Sequence, residues 1–170
     1  SLILGQNSLF WLAGFLAAIA ALQKGRWVLA GVFIGCLTLK PQLGLLIPVA
    51  LLAAGLWRTI LSPIVTTAVL AIVPTFIFGL DYWPALAARL AEHGENVVYS
   101  IVDLFLMVGP LYLLTLMGVA VDVALKLQWV IVAVMVGIVF ILWRSRRVDF
   151  DTKVAGLMLA MLLSAPYLWY

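Results

Sequence analysis

Residues 27–57 read WVLAGVFIGCLTLKPQLGLLIPVALLAAGLW, and the fold turns on how this stretch is read. It is apolar on both sides of Lys40-Pro41-Gln42, and Lys40 is the only charge between Arg26 and Arg58. Each apolar half is well short of the ~20 residues that cross a bilayer as a helix. Proline removes a backbone donor and pushes the residue before it out of helical geometry. Two geometries satisfy the break, a single long bent helix or a tight hairpin. The flanks favour the hairpin. Arg26-Trp27 opens the pair and Trp57-Arg58 closes it in mirror order. Trp marks membrane interfaces, and Lys and Arg mark the cytoplasmic one. Both ends are then expected on the cytoplasmic face, with Lys40 at a tip recessed below the opposite surface.

A cation in that position costs roughly 2.5–3.5 kcal/mol on insertion scales unless it finds a partner, a wet cavity or the interface. No Asp or Glu occurs in residues 1–80. The partner is therefore a remote carboxylate or a group outside this chain, such as a lipid phosphate.

The whole chain agrees with a membrane setting. It is 66% hydrophobic and 10% charged, with mean hydropathy +1.23. Soluble domains are about half apolar and a quarter charged. The apolar segments have helix length and lack the alternating ten-residue pattern of an outer-membrane barrel. The net charge of +3 sits on short loops, where it reports topology and not nucleic-acid binding. A single cysteine, Cys36, excludes an internal disulfide and reads as a small packing residue.

Outward from the central stretch, residues 9–22 predict a membrane helix and residues 23–26 a basic turn. Residues 60–80 predict a full span, with Pro63 tolerated in its first turns and Pro74 kinking it. Residues 81–96 are the most polar stretch. Trp83, Leu86, Ala87, Leu90 and Ala91 recur at three- and four-residue spacing, with Arg89, Glu92 and Glu95 opposite. That pattern predicts an amphipathic interfacial helix with Pro84 in its first turn. Residues 97–116 are interrupted by Asp103 and Gly109-Pro110. Reading them as a span would put Arg144-Ser145-Arg146-Arg147 outside, against the positive-inside rule. They are therefore read as re-entrant or interfacial, leaving 119–143 and 154–170 as the next two spans. The expected fold is all-α: one polytopic transmembrane helical bundle over 1–170, with a short helix hairpin and an external amphipathic or re-entrant region at 81–118. External parts are Lys40 and 81–118; cytoplasmic parts are 23–26, 57–59 and 144–153. The chain opens on Ser1 and stops mid-pattern at Tyr170, so it is expected to be a fragment of a longer protein.

Several polar residues have two readings. Gln42 either contacts phosphate or sugar hydroxyls or satisfies backbone freed by Pro41. Asn7 caps the first helix or, with Gln6, faces a substrate cavity. Asp81 caps the amphipathic helix or binds an acceptor sugar. His93, with Glu92 and Glu95 nearby, makes no complete metal set and reads as a polar-face residue or a cavity ligand. Tyr167 and Tyr170 stack on sugar or isoprenoid, or belong to an aromatic belt. Asp103 and Asp122 lie in apolar sequence and are either functional or simply wet.

Gly5-Gln6-Asn7, then Leu29-Ala30-Gly31 followed by Gly35, then Lys40-Pro41-Gln42, and at the end Pro166-Tyr167 occur in a fixed order. This series resembles glycosyltransferase family 87, polytopic enzymes similar to the polyprenyl-phosphate-mannose-dependent α-mannosyltransferases of bacterial envelopes. The resemblance implies a GT-C-like fold in the inner, cytoplasmic membrane. It also implies transfer of a hexose, mannose, from a polyprenyl-phosphate donor to a lipid or envelope glycan acceptor on the outer side. It implies no cofactor or metal, and a general-base carboxylate in a first external loop upstream of Gly5, so no catalytic base is assigned here. Under this reading Lys40 and Gln42 bind the donor phosphate, and Gln6, Asn7, Asp81, His93, Tyr167 and Tyr170 are cavity residues. A fixed cation would stabilise the phosphate as it leaves the anomeric carbon; the plainer role is a snorkelling or carboxylate-paired lysine. Two rivals remain, a transporter or lipid flippase, which also places charge beside broken helices, and a non-catalytic homologue.

Overall fold

The computed structural model describes residues 8–39, 44–99 and 109–165, with backbone alone at 8, 39 and 93–99. The described residues are helical, without strands, in eight α-helices and one 3-10 turn. They run α1 (Ser8–Gln23), α2 (Trp27–Cys36), the 3-10 turn (Leu37–Leu39), α3 (Ile47–Ala54), α4 (Trp57–Phe78), α5 (Tyr82–Tyr99), α6 (Pro110–Leu116), α7 (Val121–Arg144) and α8 (Phe150–Ser164). The all-α expectation holds. Two helices, α4 and α7, have 22 and 24 residues and are apolar enough to cross a membrane.

Tight turns come from glycine where the sequence changes direction. Gly25 (φ 67°) and Gly55 (φ 70°) adopt the left-handed conformation that other residues resist. At Gly55 the Leu56 amide donates to the Leu51 carbonyl and the Gly55 amide to Leu52, a Schellman closure of α3. Gly25 closes α1 the same way through Arg26 to Ala21 and Gly25 to Leu22. The break before α4 therefore falls at Gly55-Leu56. Trp57 and Arg58 open the helix, three residues earlier than the expected start at Ile60.

α2 and α4 pack side by side and parallel. Ser62 Oγ donates to the Val28 carbonyl at 2.8 Å. Further along, a β-carbon at Gly31 would meet Ser62, Pro63 and the Thr59 carbonyl, and one at Gly35 would meet Thr66. Positions thus rise together along both helices, and Trp27 and Trp57 begin them at the same end. The chain must reverse between α2 and α4, which favours the hairpin over a single bent helix. Pro63 and Pro74 both sit inside α4, which stays helical through them.

α7 and α8 are antiparallel. Trp143 Nε1 donates to the Lys153 carbonyl at 3.1 Å, and its ring meets Phe150 edge-on. At the other end Gln128 reaches the carbonyls of Leu163 and Ser164. The main core gathers Phe15, Leu46, Ile47, Ala50, Leu51, Val139, Trp143, Leu157 and Met161 from α1, α3, α7 and α8. Gln23 Nε2 donates to Asp151 Oδ1 at 3.1 Å, joining the α1–α2 turn to the α7–α8 turn. One end of the bundle therefore carries Lys24, Arg26, Arg58, Arg144, Arg146, Arg147 and Lys153, seven of the ten Lys and Arg in the chain. Among the described residues, only Asp149 and Asp151 of the acids join them. At the opposite end α5 follows α4 through Gly79, pinned by Trp83 Nε1 donating to Thr75 Oγ1 at 2.9 Å and by Phe78 stacked on Tyr82.

Candidate substrate groove

A cavity of about 710 Å3 lies between α2, α3 and α4. Its walls include Ile34 and Leu37 from one side, Leu45, Pro48 and Leu51 from the second, and Ile60, Ile64, Ala68 and Ala71 from α4. Among the described residues, Thr38 and Thr67 carry the only polar side chains of its lining, and Thr38 Oγ1 is already donating to the Gly35 carbonyl at 2.7 Å. From Ile60 to Ala71 the α4 wall rises roughly 16 Å at helical pitch. That is about half of a ~30 Å hydrocarbon core. Ile64 and Leu45 are exposed along its rim, so the cavity is a groove opening sideways.

The sequence explains why the groove exists. Gly31 and Gly35 let α2 settle against α4, while the short α3 packs mainly on the core with α7. The three helices therefore diverge instead of filling the space between them. Small residues on α4, Ala68 and Ala71, leave the upper part open. An apolar groove of this depth suits a hydrocarbon chain, since ligand sites are concave and mostly apolar with few polar groups to fix orientation.

Thr38 and Gly44, which both line the groove, stand on either side of residues 40–43 in sequence. Lys40 and Gln42 themselves lie outside the described residues, as do Gln6, Asn7, Tyr167, Tyr170 and Asp103. His93 falls within α5, where the backbone alone is described. Asp81 is exposed in the turn before α5. Its carbonyl accepts the Ala85 amide at 3.3 Å, and no side-chain cap from it is found among the described contacts. It does not line the groove. Asp122 is exposed in the first turn of α7, where a carboxylate complements the helix dipole. Among the described residues no cluster of His, Cys, Asp or Glu could hold a metal ion.

A second polar spot, not foreseen from the sequence, lies where α7 meets the end of α8. Gln128 is buried, and its Nε2 donates to the Leu163 carbonyl at 3.0 Å and to Ser164 at 3.3 Å. These carbonyls belong to the last turn of α8, which has no intrahelical donors left to satisfy them. Gln128 Oε1 and Ser164 Oγ are buried without a hydrogen-bond partner among the described residues. The signal was present in the sequence, because Gln128 is the one amide in the apolar run of α7.

Compared with known proteins, the chain matches the model of glycosyltransferase family 87 over residues 1–166. No curated protein and no solved structure matches it. The chain belongs to glycosyltransferase family 87, which implies a glycosyltransferase acting on a sugar donor and an acceptor. The two long apolar helices agree with a membrane protein.

Proposed function

We propose that this member of glycosyltransferase family 87 transfers a hexose, mannose, from a polyprenyl-phosphate donor to a lipid or envelope glycan acceptor at the outer face of the cytoplasmic membrane. One observation carries the reading: the apolar groove is lined by Thr38 and Gly44, which stand two residues before Lys40 and two after Gln42. The donor's prenyl chain lies in the groove against Ile64 and Ala68 of α4. Its phosphate meets Lys40 and Gln42, and the sugar projects beyond them. The groove's apolar walls hold the lipid tail without hydrogen bonds, which leaves orientation to the headgroup.

The chemistry follows from the charge that develops. A carboxylate base removes the proton from the acceptor hydroxyl, whose oxygen bonds to the anomeric carbon. The bond from that carbon to the phosphate oxygen breaks, and negative charge collects on the polyprenyl phosphate. A lysine cation fixed beside it stabilises the leaving group. The base belongs to the external loop that the family resemblance puts before Gly5. The positive-inside rule supports the sidedness, because seven of the ten Lys and Arg gather at the end of the bundle opposite Thr38 and Gly44. The amphipathic α5 and short α6 then belong to the external side, within region 81–118.

The test uses the full-length protein in membranes with radiolabelled polyprenyl-phosphate-mannose, comparing wild type with Lys40→Ala and Lys40→Arg. The expected result is transfer to a lipid-extractable acceptor, lost with Ala and partly kept with Arg at equal protein level. Full transfer by Lys40→Ala would remove the phosphate role. No transfer from any polyprenyl-phosphate sugar would overturn the reaction and return weight to a transporter or a non-catalytic homologue.

A further inference from the structure

At the basic end of the bundle a second cavity of about 520 Å3 lies between the starts of α2 and α4. Arg26 and Arg58, from two different helices, both line it, together with Trp27, Leu29 and Val32. Arg26 precedes the first residue of α2 and Arg58 is the second residue of α4. Because the two helices are parallel, both positive dipole ends point toward this region. Neither helix has a side-chain cap. A guanidinium at a helix N-terminus is on the unfavourable side of the dipole, and here the arrangement occurs twice around one cavity. The Arg89–Glu92 ion pair lies at the opposite end of the molecule. Residues 1–80 contain no acidic side chain. The positive charge at this cavity is thus uncompensated by the helices that form it.

We propose that this cavity binds the headgroup of an anionic phospholipid, with one acyl chain lying along α2. The phosphate sits between the Arg26 and Arg58 guanidinium groups, which present planar donors suited to phosphate oxygens. Below this basic rim the wall is apolar, formed by Leu29 and Val32, and both are exposed. Trp27 and Trp57, exposed on the two helices, lie at the depth where tryptophan marks the membrane interface. A basic rim over an apolar wall matches a lipid and not a free phosphate, which would gain nothing from Leu29 or Val32. The site is separate from the groove and does not depend on the transfer reaction proposed above.

The test is native mass spectrometry of the full-length protein in detergent, titrated with phosphatidylglycerol and, in parallel, phosphatidylcholine. Wild type is expected to retain phosphatidylglycerol in preference. Arg26→Gln and Arg58→Gln should each weaken its binding roughly five-fold. Arg89→Gln, at the far end, should leave it unchanged. Val32→Trp fills the apolar wall at an exposed position without altering charge, and should weaken the lipid as well. Helicity and gel-filtration profile identify any variant that fails to fold, and Val32→Trp then carries the test. Retention of phosphatidylglycerol at the wild-type level by both arginine variants, or no effect of Val32→Trp, would overturn the site. Displacement of the lipid by millimolar inorganic phosphate would overturn its assignment to a lipid.

Discussion

Gly35 of α2 lies so close to Thr66 of α4 that a β-carbon added to it would stand 2.5 Å from the Thr66 Cβ. One turn earlier Gly31 meets Ser62 in the same way, and a β-carbon there would also press on the Thr59 carbonyl at 2.8 Å. Backbone cannot yield as a flexible side chain can. Gly35→Ala is therefore expected to push α2 off α4, destabilise the protein by about 1–3 kcal/mol through overpacking, and widen the groove beside Thr38. Gly44→Ala serves as the control, since a methyl group there would meet nothing within 4 Å among the described residues and the backbone carries no positive φ. Thermal unfolding of the full-length protein in detergent should show a loss for Gly35→Ala and none for Gly44→Ala.

Gln128 ties α7 to the last turn of α8 by two hydrogen bonds from one nitrogen. Gln128→Leu keeps the volume approximately but strands the carbonyls of Leu163 and Ser164. The expected cost is about 1–3 kcal/mol, the desolvation penalty of buried groups left unpaired. Gln128→Glu removes the donor and adds a buried charge, so it should be worse than Leu. Chemical denaturation midpoints of the two variants check both the loss and its order.

Asp149 caps α8, accepting the Thr152 amide at 2.9 Å and the Thr152 hydroxyl at 2.6 Å. The Thr152 hydroxyl and then its amide hold the carboxyl below its usual 3.8. A carboxyl lower in the folded than in the unfolded state stabilises above the unfolded value and loses that contribution as pH falls through the folded one. Asp149→Ala should thus melt earlier than wild type at pH 7, and the gap should narrow as pH drops below the ordinary carboxylate range. Melting curves from pH 7 to pH 3 read this directly. A gap that stays constant across the range would mean that the carboxylate's charge plays no part.

Much of the fold was legible from a few residues. Pro41 announces the break after α2, and the mirrored Arg26-Trp27 and Trp57-Arg58 announce that α2 and α4 begin at one end. The turn itself was harder to place, because Gly55 closes α3 and the aromatic flank Trp57 already belongs to α4. The amphipathic pattern from Trp83 to Ala91 correctly anticipated a helix, now Tyr82–Tyr99. The groove was not legible. Its α4 wall, Ile60, Ile64 and Ala68, is ordinary apolar sequence, and only the tertiary pairing through Gly31 and Gly35 turns it into a surface beside α3. Gln128 was visible as a lone amide, but its task depends on where α8 ends. The phosphate-binding and sugar-cavity assignments rest on motif order and chemical type, with Lys40 and Gln42 linked to the groove through their sequence neighbours Thr38 and Gly44.

Occupation of the groove by the donor's prenyl chain is tested most directly by photolabelling of the full-length protein in membranes with polyprenyl-phosphate-mannose carrying a diazirine in that chain. Peptide mapping then shows which helices the chain touches. Labelling is expected on α4 between Ile60 and Ala71, suppressed by excess unlabelled donor and reduced when Ala68→Trp fills the groove. Labelling that spares α4, or that unlabelled donor does not suppress, would contradict occupation of the groove.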